Sequence, residues 1–263
     1  MNARSESQCG LHPQWIVPDW PAPTAVRALI TTRCGGVSQG PWGALHGAEG
    51  GMNLGRGSGE AAEIVDANRA RLRGLLPQPP RWLHQVHGAT VIDAAQASAE
   101  SPRADASITD GSTVCAVMVA DCMPVLLAST CGRVVGVAHA GWRGLAAGVI
   151  QNTVAAMRAR QPDAELIAYL GPAIGPSAFE VGGEVLDAMR ARLPQADAAF
   201  KAAQSPGKYL ADLFMLGRQA LAQVGVTLVC GGGDCTFSDP QRFYSYRRDR
   251  VTGRHVALIW ISR

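Results

Sequence analysis

Residues 114–128 form the longest apolar stretch of the chain, broken by one carboxylate, Asp121. Such a stretch, flanked by further short apolar runs, belongs in a sheet buried on both faces. A carboxylate inside it costs free energy unless it is paired, ligated or opened to a cavity, so something polar must face Asp121. The same break argues against a membrane span.

The neighbouring segments add to a cluster of buried strands. Strand composition recurs at 82–86, 90–93, 114–119, 125–128 and 133–138, with short glycine or polar turns between most of them. Upstream, a strand at 26–32 leads into Gly35 and Gly36, and the glycine-rich stretch 41–59 cannot easily hold a helix. A helical pattern over 60–76 is stopped by Pro77, Pro79 and Pro80. Downstream, 144–160 reads as a helix, which puts His139 and Arg143 on a strand-to-helix corner. A strand at 165–170, helices at 184–193 and 209–224, and strands at 227–230 and 255–261 complete the pattern. Strands interleaved with helices favour a mixed α/β domain over an all-β sandwich. Residues 1–25 read as an N-terminal extension and 26–263 as a single catalytic domain.

Composition narrows the function classes. At 263 residues with 47% hydrophobic and 17% charged, the chain can bury a large core and is not disordered. A formal charge of +3 without a dense Lys/Arg run leaves no nucleic-acid footprint. The N-terminus lacks the apolar run of a signal peptide. The cysteines at 9, 34, 115, 122, 131, 230 and 235 are odd in number, irregular in spacing and free of any CxxC pair. They point to reduced thiols in a cytoplasmic protein, not to a disulfide scaffold or zinc ribbon. The expected partner is a small molecule, not a nucleic acid or a membrane.

Three segments carry metal-ligating chemistry: Gln85-Val86-His87-Gly88, Ala120-Asp121-Cys122 and Ala138-His139-Ala140-Gly141-Trp142-Arg143-Gly144. They lie too far apart for a finger-type loop, so any metal is gathered by the tertiary fold. Each residue has a plainer explanation: a lone histidine at a strand end is more often hydrogen-bonded structure, and a free cysteine more often a small buried hydrophobe. Two imidazoles and one thiolate nevertheless make three protein ligands for zinc and leave a fourth position open for water or substrate. In the third segment, Gly141 and Gly144 bracket Trp142 and Arg143 directly after a buried strand. A simple turn would not require His139 and Arg143 together. Arg247 and Arg248, in Tyr244-Ser245-Tyr246-Arg247-Arg248-Asp249, form either a surface pair with Asp249 or a planar clamp for an anion.

These residues, together with TTRCGGVSQGPW (31–42), MNLG (52–55), HQVHG (84–88), ADCMPVLL (120–127), GPAIGP (171–176), FEVGGEV (179–185) and Cys235-Thr236, resemble the YfiH-type family. Its members are also labelled multicopper polyphenol oxidase laccases and are now grouped as purine nucleoside phosphorylases. The resemblance implies a single-domain mixed α/β sandwich shared with certain toxin cysteine hydrolases. It also implies a zinc-binding catalytic set of His87, Cys122 and His139. The activity it implies is phosphate-dependent cleavage of adenosine, inosine and methylthioadenosine, together with adenosine deamination, in which Asp121 would serve as acid–base group. Arg33, Arg143, Arg247 and Arg248 are the candidate anion binders, and Asn53 a candidate sugar or phosphate contact. The chain departs from the family in a glycine-rich insertion with His46 before MNLG, and in Ser177-Ala178 where the family usually has two cysteines. Six histidines with no His-x-His pair do not fit a laccase copper centre, although copper can compete for the same three ligands. The rivals are a hydrolase with Cys122 as nucleophile and a histidine base, acting on amino acids of cell-wall precursors, a copper-binding polyphenol oxidase, and a purely structural zinc clip.

Overall fold

The computed structural model describes residues 10–45, 50–97 and 101–262. The expected insertion residue His46 lies outside them.

Two sheets stack face to face. One runs in the order Val26–Ile30, His255–Ile261, Val114–Val119, Pro80–Arg81; the other runs Leu228–Gly231, Leu166–Leu170, Met123–Ser129, Val135–Ala140, Ala106–Thr109, Val91–Asp93. Period-2 alternation sorts the apolar run between layers. Cys115, Val117, Leu126 and Ala128 point into the core between the sheets. Val114 and Ala116 point the other way, into a cluster with Met52, Leu54 and Leu72, the last from helix Ala62–Arg73. Val125 and Leu127 face a larger cluster supplied by helices Val149–Arg160, Gly183–Arg190 and Leu213–Gln223. Helices outside both sheets therefore make the layers α/β/β/α, which explains why the strands are apolar on both faces. Trp15, upstream of the first strand, is 8% exposed and donates to the Cys34 carbonyl, and Ile16 bridges to Ile30, so this part of the N-terminal segment packs on the sheet.

Several elements differ from expectation, each for a local reason. The strand expected at 82–86 is only Pro80–Arg81. Beyond it the side chain of Gln85 takes over the ladder, accepting from the Met118 amide and donating to the Met118 carbonyl, both at 2.8 Å. That substitution frees the backbone to swing outward at His87. The helix expected over 144–160 is two, Trp142–Ala147 and Val149–Arg160, parted at Gly148 with a left-handed φ of 88°. Tyr209 belongs to strand Lys208–Ala211, and the helix begins only after Asp212, whose carboxylate caps the Met215 amide. Strand Ala106–Thr109, too short for a periodic signal, was not expected. Among the described residues no helix is long and apolar enough to cross a membrane.

Candidate metal centre

Strands Val114–Val119 and Met123–Ser129 lie in different sheets, so Ala120-Asp121-Cys122 is the crossover between them. His139 lies near the end of the strand antiparallel to Met123–Ser129, with Pro124 opposite it. Pairing thus brings His139 beside Cys122, and the released segment after Gln85 delivers His87. The ligand atoms of His87, Cys122 and His139 all lie within 4.8 Å of one another. The two imidazole rings sit 4.8 Å apart, nearly edge to face. His139 is buried, Cys122 half-buried and His87 exposed, so the group opens to solvent on the His87 side. Gly141 is required for close approach: a Cβ there would lie 2.6 Å from the Cys122 sulfur.

Asp105, which sequence reasoning missed, organises the group. Fully buried, it accepts from the amides of Val86, His87 and Gly88 at 3.1, 2.9 and 2.7 Å, and its Oδ1 lies 2.9 Å from His139 Nδ1. Burial pushes this carboxyl up, but the His139 and backbone hydrogen bonds outweigh it and hold the pKa below the usual range. An ionised Asp105 keeps the proton on Nδ1 and leaves Nε2 as the donor atom directed away from it. Asp105 precedes an apolar strand and thus carries the same signal as Asp121, a lone carboxylate among buried residues. Burial pushes the Cys122 thiol up, and His139 and then His87 more than reverse this, to about 6. Burial likewise lowers His139, and Cys122 and Asp105 raise it to about 9.

Asp121 is 9% exposed and, with His87, is one of three non-glycine residues of positive φ among those described, at 94° and 59°. Three distant motifs hold this strained corner in place. Thr236 Oγ1 donates to Asp121 Oδ1 at 2.6 Å, the Arg247 amide to Oδ2 at 2.6 Å, and the Ile174 amide to the Asp121 carbonyl at 2.9 Å.

The expected anion binders separate. Arg33, 3% exposed, donates to the carbonyls of Gly43, Pro41 and Pro240 and pairs with Asp249. Arg248 donates to the carbonyls of Thr236, Phe237 and Phe243 and to the Asp249 carboxylate. Asn53 is fully buried; its amide nitrogen donates to Ser58 and Glu60, and its oxygen accepts from the amides of Gly55 and Arg254. These three are knitted into the protein and do not present their polar atoms to a ligand. Arg143 is exposed, with its guanidinium over the Trp142 ring. Half-buried Arg247 donates to the Glu180 carbonyl and lies over the Phe179 ring.

The donor chemistry of His87, Cys122 and His139 fits a borderline-soft metal ion, with Asp105 as the outer carboxylate that metal-ligating histidines commonly use. A family profile described as multi-copper polyphenol oxidoreductase laccase matches residues 27–262. A relative from Pseudomonas aeruginosa, named a purine nucleoside phosphorylase, is 50% identical over 94% of this chain and 98% of its own length. Purine nucleoside phosphorylase YfiH of Escherichia coli is 49% identical over the same shares of the two chains, 94% and 98%. The crystal structure of a Neisseria meningitidis protein superposes with a TM-score of 0.88 at 47% identity, covering 95% of this chain and 100% of that one. A profile match along nearly its whole length, with relatives at about half identity, places this chain in the multi-copper polyphenol oxidoreductase laccase family, whose curated members here carry the name purine nucleoside phosphorylase.

Proposed function

We propose that this protein is a cytoplasmic, zinc-dependent purine nucleoside phosphorylase that also deaminates adenosine. The observation that carries the reading is the meeting of two imidazoles and a depressed-pKa thiol at one solvent-open point. Its relatives' names supply the substrate class. Zinc suits this donor set, with copper as the competing ion; when bound, the metal supplies Lewis acidity and activates water near neutral pH. The described cysteines are all free, in keeping with a reducing compartment.

The chain's own residues position the reaction. Asp105 fixes the tautomer of His139, and Asp121, next to Cys122, is the assigned acid–base group. In phosphorolysis of adenosine, inosine or methylthioadenosine, the bond between the purine nitrogen and the anomeric carbon breaks. A phosphate oxygen takes its place on that carbon, and the base leaves with a proton given up by phosphate. In deamination, water adds at C6 of adenine and ammonia leaves. Metal-replete protein incubated with adenosine, with and without phosphate, tests both modes by separating adenine from inosine. Inosine without phosphate, and adenine together with hypoxanthine cleaved from that inosine only when phosphate is present, is the expected pattern; no product in any arm overturns the proposal.

A second reading has one specific observation in its favour. Cys122, His139 and Asp105 also form a nucleophile, base and orienting carboxylate in series, which suits a cysteine hydrolase. Stoichiometric zinc that blocks alkylation of Cys122 supports ligation, whereas a metal-free protein inactivated by iodoacetamide supports the nucleophile.

A further inference from the structure

Asn53, in the MNLG segment, is the sequence candidate for a sugar or phosphate contact, yet it is wholly engaged inside the protein. What the segment holds is Arg254. The Arg254 amide donates to Asn53 Oδ1 at 2.9 Å, and the Leu54 amide donates to the Arg254 carbonyl at 3.0 Å. A Cβ at Gly55 would lie 2.6 Å from Arg254 Cγ, so that glycine makes room for the side chain to pass.

Register brings the start of strand His255–Ile261 close to the metal centre. His255 pairs with Val119 at the end of the antiparallel ladder, so Arg254 stands one residue beyond the end from which the chain continues after Val119 to Asp121 and Cys122. The guanidinium lies 5.7 Å from the ring of Tyr246, which is 50% exposed and adjoins Arg247, whose amide is bound to Asp121. Burial lowers the Arg254 pKa while the charges of Cys122 and Asp121 raise it, which agrees with this placement. Only Nη1 is engaged within the protein, with the carbonyls of Thr252 and Gly253. Nε and Nη2 have no acceptor among the described residues. A guanidinium fixed at one nitrogen, half-buried and with two donors unused is preorganised for an oxyanion.

We propose that Arg254 binds the phosphate that attacks the nucleoside, and that Asn53 and Gly55 are its positioning residues. This inference rests on phosphorolysis being the reaction. The test uses the full-length, zinc-loaded protein, with inorganic phosphate varied at saturating adenosine. Arg254→Gln is expected to raise the phosphate KM about 10- to 100-fold, the loss of one hydrogen bond between charged groups, with a smaller rise in Arg254→Lys and little change in the adenosine KM. Phosphate alone should raise the Tm of the wild type and not that of Arg254→Gln. Gly55→Ala, which displaces the side chain without removing it, should also raise the phosphate KM and serves as the measurement if Arg254→Gln does not fold. An unchanged phosphate KM in the folded variants, with phosphate-dependent cleavage intact in the wild type, overturns the role of Arg254 alone. Wild-type cleavage that ignores phosphate overturns the phosphorylase reading and this inference with it.

Discussion

At the scale of single residues, the proposed zinc site separates ligand from bystander by a simple comparison. Cys122→Ala is expected to abolish zinc binding and activity together, whereas Cys131→Ala, an exposed thiol away from the group, leaves zinc stoichiometry near that of the wild type. Elemental analysis of the two purified variants decides it. Asp105→Asn keeps the shape but removes the charge that orients His139 and accepts three amides. Zinc affinity should fall about 10- to 100-fold in chelator competition; unaltered affinity would mean that the carboxylate only ties the loop. His255 has a different role. It is fully buried with neither ring nitrogen hydrogen-bonded, and burial, then the charge of Arg254, lowers its pKa from 6.5 to about 3. The unfolded chain therefore binds a proton below about 6.5 that the folded chain refuses until about 3. Stability is lost as pH falls through that window and does not change from this source above it. His255→Phe should flatten the dependence of unfolding free energy on pH between 6.5 and 4, measured by urea titration at several pH values; an unchanged slope would rule His255 out as its source.

At the scale of elements, irregular backbone near the site is held by side chains in place of ladders. Gln85 substitutes for strand pairing to Met118, and Arg248 ties the short helix Tyr246–Asp249 to three carbonyls of the chain before it. Lysine at 248 keeps the charge but cannot span those acceptors, so Arg248→Lys should destabilise the protein by about 1–3 kcal/mol. The loss would appear as a lower urea midpoint at unchanged m-value. A stability equal to that of the wild type would return Arg248 to the list of anion binders.

At the scale of the whole molecule, three candidate ligands, from the crossover, the second sheet and the segment after Gln85, are joined only in the folded state. Binding to that state alone stabilises it by mass action, so removal of zinc by a chelator should lower the Tm, and the drop should vanish in Cys122→Ala. The sequence alone determined that the domain mixes helices with buried strands, because apolar runs alternating with helical periodicity state which segments are buried; that Val114–Val119 and Met123–Ser129 go to different sheets was decided by the tertiary structure. It also singled out His87, Cys122 and His139 as candidate ligands, since soft and imidazole groups beside a costly buried carboxylate are readable one segment at a time, and the fold brings their ligand atoms within 4.8 Å of one another. Asp105 carries the same sequence signal as Asp121, but its partners, the placement of Arg254 and the internal engagement of Arg33, Asn53 and Arg248 are not legible in the sequence. A carboxylate before a short strand, or an arginine before a long one, has the same local appearance whether it meets solvent, a carbonyl or a ligand. Only the register that sets His255 opposite Val119, and the crossover that sets Cys122 against His139, determines which of these it meets, because hydrogen bonds of fixed reach depend on distances that sequence separation does not encode.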